Sequence, residues 1–144
     1  MNETIAKIRA FNRFYMPSMN LLGEHYLGSE YSVTEARVFF EIYEHEGCNA
    51  AHIAQIMNID KSYLSRIIKG HEKNGYIRRE RSEEDNRSYC LYLTDIGKTR
   101  AEDFIRKSNE EIEEIIDGLS IEEEQQLIKA LETIMMLLNK AKEM

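Results

Sequence analysis

Residues 49–97 read NAAHIAQIMNIDKSYLSRIIKGHEKNGYIRRERSEEDNRSYCLYLTDIG, and the spacing of apolar, capping and basic residues in this stretch decides the fold. Apolar side chains at Ala50, Ile53, Ala54 and Met57 recur at i, i+3, i+4 and i+7, which predicts a short helix with one buried stripe. Asn58-Ile59-Asp60 breaks that helix. Asp60 is a good N-cap for the next one, because its carboxylate can accept from the free amides of the following turn. The second helix, 61–74, places Leu64, Ile67, Ile68 and His71 on one face. The other face carries Lys61, Ser62, Tyr63, Ser65, Arg66 and Lys69, hydrogen-bonding groups and cations of the kind that meet base edges and phosphates in a DNA major groove. Gly75 stands where a left-handed C-terminal stop belongs.

A hairpin follows. Residues 76–82 and 87–93 are rich in β-branched and aromatic residues with partial alternation, and residues 82–86 are polar turn material. Thr94 can N-cap the long periodic run that begins at Asp95. A helix-turn-helix followed by such a hairpin is a winged helix, so the expected class is mainly α (α+β). The charges support this placement. Residues 61–81 hold seven Lys/Arg, Arg79 among them, against two Glu, inside a chain of net charge −7. An acidic protein with one concentrated basic segment has a defined place for a polyanion.

Over nearly its whole length the chain resembles the MarR family of bacterial winged-helix transcription regulators. The resemblance is carried by Gly75-Tyr76-Ile77-x-Arg79, by Asp85-x-Arg87, by Leu93-Thr94-x-x-Gly97, and by Ser62, Ser65 and Arg66 in the second helix. It implies that Arg87 reaches a minor groove from the wing while Asp85 holds its guanidinium by a charge-assisted pair. Gly70 and His71 depart from the pattern, which more often has a long polar and a large aliphatic residue there; Gly70 should cost the helix about 1 kcal/mol relative to Ala.

The rest of the chain reads as helix. Ile5, Ile8, Phe11, Tyr15, Met19 and Leu22 form a stripe on an N-terminal helix that Pro17 should bend. Ser32 and Glu35 make a capping box for a helix to about Glu46, with Ala36, Phe39, Phe40 and Tyr43 inward. Ile112, Ile115, Ile116 and Leu119 ride a helix from about Thr94 to Asp117. Ser120 with Glu123 caps a last one, whose stripe includes Leu127, Leu131, Ile134, Met135 and Leu138. Such stripes serve either an internal core or an interface; the family resemblance implies an intertwined homodimer built by the first helix and the last two. The expected organisation is one 144-residue domain, with a winged helix-turn-helix region at 32–97 and dimerisation segments at 1–28 and 98–144. Residues 101–144 hold twelve acids against five bases, so this part should avoid DNA.

No apolar run exceeds Ile134–Leu138, the first residues lack a secretion signal, and two cysteines make no disulfide framework, so the expected compartment is the cytoplasm and no membrane partner is expected. Cys48, beside Gly47, is either an exposed thiol or inert, and Cys90 reads as strand filler. The four histidines have no metal-ligand spacing; Glu24-His25 lies near where zinc-sensing relatives bind metal, but the other ligands have no match here. No nucleophile with a base partner and no Gly-rich phosphate loop is present, so neither catalysis nor a cofactor is expected.

The resemblance further implies a small aromatic or phenolic effector. Arg13, Tyr15, Met16, Tyr26, Arg37, Phe40 and Tyr43 have the chemistry for it: aromatics for stacking, arginines for a carboxylate. The expected function is sequence-specific binding of duplex DNA by a homodimeric regulator, a repressor acting on a pseudo-palindromic operator through helix 61–74 and wing 76–93. The alternative is an acidic interaction module that contacts protein instead; net charge and the Glu83-Glu84 pair at the wing tip motivate it.

Overall fold

A computed structural model describes residues 2–84 and 87–143. Among them the order is α1 (Glu3–Ser18), a single 3-10 turn (Tyr26–Gly28), α2 (Val33–Glu44), α3 (Ala50–Met57), α4 (Lys61–Lys73), β1 (Ile77–Arg81), β2 (Tyr89–Leu93), α5 (Asp95–Ile115) and α6 (Ile121–Lys142). This is the mainly helical winged-helix class expected. The chain divides into two compact units, Met1–Asn109 and Glu110–Met144.

The first unit is organised by its caps. Ser32 and Glu35 form the reciprocal capping box of α2. Asn49 caps α3 through the His52 amide, and α3 stops at Asn58, whose left-handed backbone (φ +52°) an asparagine tolerates. The Asp60 carboxylate accepts from the amides of Ser62 and Tyr63 at 3.0 and 3.2 Å and starts α4 as expected. At the far end Gly75 (φ +84°) donates to Glu72 O and Tyr76 donates to His71 O, the paired bonds of a Schellman stop.

These stops aim the apolar faces of α2, α3 and α4 at one another and at the hairpin. Val38, Phe39, Ile42, Ile53, Leu64, Ile68 and Leu91 are almost fully buried there. The hairpin is antiparallel with Ile77 opposite Leu93 and Arg79 opposite Leu91, slightly shorter than the expected 76–82 and 87–93. Residues 47 and 48 bond to the free edge of β2 through Gly47 N to Leu91 O and Leu91 N to Cys48 O, which the sequence did not announce. Cys48 is thereby half-buried, and burial pushes its thiol pKa up, which lowers its thiolate fraction.

Thr94 joins two elements. Its hydroxyl donates to Gly75 O at 2.6 Å and accepts from the Gly97 amide at 3.1 Å, so it caps α5 while gripping the end of α4. Gly97 is required by contact: a Cβ there would sit 2.1 Å from Tyr76 O. Gly70 is not, since no described atom lies within 4 Å of its Cβ position, so the helix propensity it forgoes, about 1 kcal/mol, has no packing reason.

Several expected details differ. Phe40 is not inward but 42% exposed; α2 is covered by α3, α4 and β2 on the side of Val38, Phe39 and Ile42, and the next residue falls outside that sector. Ala50, in the first turn of α3, is also exposed. Pro17 lies in the last turn of α1, which ends at Ser18, so Met19 and Leu22 fall beyond the helix. The helix expected to reach Asp117 stops at Ile115, while Ser120 and Glu123 cap α6 as expected. Neither α1 nor α6 has a buried residue.

Candidate nucleic-acid interface

The outward face of α4 is held rigidly by what lies beneath it. Leu64, Ile67, Ile68 and His71 are buried, so Lys61, Ser62, Tyr63, Arg66 and Lys69 all face solvent, with Ser65 half-buried beside them. The Arg66 guanidinium lies 6.0 Å from the Tyr63 ring, at the limit of a cation–π contact. Fixed backbone and mobile tips are what base-edge recognition needs: the register is set by packing, and the long side chains adapt.

The wing presents its cations differently. Arg81 and Arg79 lie 5.7 and 5.8 Å from the Tyr89 ring on one face, and Arg78 lies 4.4 Å from Tyr92 on the other and pairs with Glu80. Arg78 is opposite Tyr92 and Arg81 opposite Tyr89 in register, so each pair is a cross-strand neighbour. Arg78 and Arg81 were not among the expected site residues, though both were counted in the basic segment 61–81.

Arg79 behaves unlike the others. Its Nε is 3.0 Å from the Glu72 carboxylate on α4, and its side chain is only 28% exposed. The pair ties the wing stem to α4. Arg87 is exposed, and with Ser65, Arg79, Ser88, Tyr89 and the first residues of α3 it lines a cavity of about 400 Å³ between helix and wing. Helix and wing thus meet around shared hydrogen-bonding side chains. Asp85, expected to hold Arg87, lies outside the described residues.

Of the seven effector candidates the structure brings three together. Tyr26, Arg37 and Phe40 line a cavity of about 370 Å³ with Val33, Ala36, Phe104 and Ile105, between α2 and α5. Arg13, Tyr15 and Met16 lie on α1 and are not part of that wall, and the Tyr43 hydroxyl donates instead to Glu102 on α5 at 3.2 Å. A residue missed by the sequence completes the wall. Glu41 is only 5% exposed, with Arg37 Nε 3.2 Å from its carboxylate. Its signal was a charge on the apolar side of α2, four residues after an arginine.

Among the described residues no three His, Cys, Asp or Glu side chains group to hold a metal ion, and no helix is long and apolar enough to cross a membrane. His25 is held locally, its Nδ1 3.1 Å from Ser29 O.

The family model described as MarR family matches residues 31–89, the stretch that runs from the start of α2 into β2. The chain is 30% identical over 108 residues to the HTH-type transcriptional regulator BilQ of Clostridium symbiosum, covering 74% of this chain and 72% of that one. The chain belongs to the MarR family. This MarR-type transcriptional regulator is also 26% identical over 117 residues to the HTH-type transcriptional repressor YetL of Bacillus subtilis, 78% of this chain and 70% of that one. Of two other relatives it spans 55% and 44% of the length. Among solved structures, Streptococcus pneumoniae FabT, crystallised in complex with DNA, superposes with a TM-score of 0.70 at 26% identity, over 96% of this chain and 95% of that one. Family and relatives are transcription regulators, not enzymes.

Proposed function

We propose that this MarR-type regulator is a cytoplasmic homodimer that represses transcription by binding a pseudo-palindromic duplex operator. Each subunit lays recognition helix 61–74 into a major groove and the wing, 76–93, along the neighbouring minor groove. The observation that carries this is the outward face of α4: Ser62, Arg66 and Lys69 exposed over a fully packed base, with Arg87 across a shared cavity. FabT, a structural relative, was crystallised on DNA. Region 32–97 does the binding, and 1–28 with 98–144 pairs the subunits, since α1 and α6 expose Ile8, Phe11, Leu127 and Leu138 with nothing buried in their own chain. Two copies double the phosphate and base contacts and impose two-fold symmetry on the site. A small aromatic effector, bound in the cavity between α2 and α5, releases the operator by favouring another spacing of the two recognition helices.

The test is affinity for a duplex selected from genomic DNA, measured across salt concentrations. The logarithm of affinity should fall linearly with the logarithm of salt as Lys and Arg displace counterions. Arg66→Ala should cost about 1–3 kcal/mol on the selected site and blur its sequence preference, while Arg87→Ala weakens binding through the minor groove. If neither change alters affinity, the winged region contacts protein instead, as the acidic wing tip at Glu83 and Glu84 would favour.

A further inference from the structure

The cavity between α2 and α5 contains a charge that sorts its ligands. Its walls are mostly apolar and aromatic: Tyr26, Val33, Ala36, Phe40, Phe104 and Ile105. Set into them is the Glu41 carboxylate, nineteen-twentieths buried. Among the described residues its one charged neighbour at contact distance is Arg37, whose Nε approaches Oε2 at 3.2 Å while half of the arginine side chain remains in solvent. A volume of about 370 Å³ is within the range that holds a small organic molecule.

We infer that this cavity takes an aromatic organic cation, or an aromatic ligand with a strong hydrogen-bond donor, and discriminates against the phenolic or carboxylic anions that its arginine alone would suggest. The inference rests on the proposal that the cavity is the effector site and names the ligand's charge class. An anion entering here meets Arg37 already committed to Glu41. Either it displaces Glu41, leaving a buried carboxylate without a counter-charge, or it shares the guanidinium and sits beside a like charge in a low-dielectric wall; both are costly. A cation needs neither. It adds to the open side of the carboxylate, leaves the Arg37 contact in place, and offers its charge to the exposed Phe40 ring. The aromatic lining selects a flat apolar body, and the carboxylate selects the sign of its head group.

Three probes of one shape separate charge from fit: naphthalene-2-carboxamidine (cationic), naphthalene-2-carboxamide (neutral) and naphthalene-2-carboxylate (anionic). Calorimetric titration of each into the full-length protein should show the amidine binding at least about tenfold tighter than the carboxylate. Glu41→Gln should collapse that ratio, and Arg37→Gln, which strips the carboxylate of its neighbour without touching the buried acid, should widen it. The two variants act in opposite directions, so a general loss of folding cannot imitate the result. Equal or tighter binding of the carboxylate, a ratio unmoved by both variants, or no binding by any probe overturns the inference. Amidine binding that leaves DNA affinity unchanged keeps the ligand assignment and removes the effector role instead.

Discussion

His71 is the residue where packing and titration meet. It sits in the last turn of α4, 1% exposed, with its ring 4.2 Å from the Phe39 ring and edge-on to Tyr31 at 4.8 Å. Nε2 lies 2.9 Å from the Glu35 carbonyl, so that nitrogen carries the proton, and buried Nδ1 has no hydrogen-bond partner among the described residues. Burial lowers its pKa, with the Arg100 charge adding to that; the Glu35 hydrogen bond and the nearby Glu35 and Glu30 charges oppose it without reversing it. The folded protein therefore binds a proton at His71 less readily than the unfolded chain, which takes one up as pH falls through about 6.5. The stability this contributes is complete above that value and is lost progressively below it. Urea midpoints should thus fall as the pH is lowered from about 7.5 to about 5.5, and His71→Phe or His71→Asn should flatten the slope in that window. Glu30 and Asp103, whose pKa values are lowered, act only below the ordinary carboxylate range, so they do not confuse the measurement. A wild-type midpoint that stays level over that interval would refute the assignment. The sequence placed His71 on the buried face by spacing alone. What it could not supply was the carbonyl 36 residues away that accepts from Nε2.

At the scale of elements, the link between recognition helix and wing was legible in part. Gly75, Thr94 and Gly97 stood at motif positions, and the structure gives each a physical reason. Gly75 makes a left-handed stop, the Thr94 hydroxyl bridges two elements, and Gly97 allows a backbone contact that no side chain permits. The Glu72–Arg79 pair was not legible, because it joins residues on either side of a Schellman turn, where no helix or strand period carries across. The same holds for Arg100 on α5, which donates to Glu30 in the loop before α2 and to the Tyr76 hydroxyl in the turn before β1. Arg79, proposed as a DNA contact, also pairs with Glu72 on α4 and can orient the wing through that pair. The two roles can be told apart by measurement. Arg79→Glu should weaken operator binding by about tenfold or more, since it sets like charges against each other where a partly exposed pair contributed about 0.5–1 kcal/mol. The double change Glu72→Arg with Arg79→Glu restores the attraction with the charges exchanged, and binding should recover most of the loss. Were Arg79 a phosphate contact, the double variant would bind as poorly as the single one, and its salt slope would be shallower by about one ion.

At the scale of the whole molecule, the two ends of the chain raise a question of oligomeric state that no cap or turn answers. α1 has no buried side chain, yet it exposes Ile5, Ile8, Phe11 and Phe14; α6 has none either, yet it exposes Leu127, Ile134, Met135 and Leu138. Stripes of this kind read the same in a sequence whether the cover is intramolecular or a second chain, which is why spacing alone left both open. The acids of residues 101–144 assign this segment a place away from phosphate, which leaves its apolar side for protein. Covering such apolar helix faces is favourable in water. Sedimentation equilibrium at micromolar protein should therefore return twice the chain mass. Leu127→Glu with Leu138→Glu, two positions exposed within the chain itself, should shift the population to single chains and remove the dependence of the thermal midpoint on protein concentration that linkage between folding and association gives the dimer. Operator affinity in that variant should drop toward that of one half-site, with a smaller salt slope because half of the cations remain engaged. A wild-type protein that sediments as one chain while binding its duplex at full strength would remove the two-fold assembly, and with it the expectation of a palindromic site.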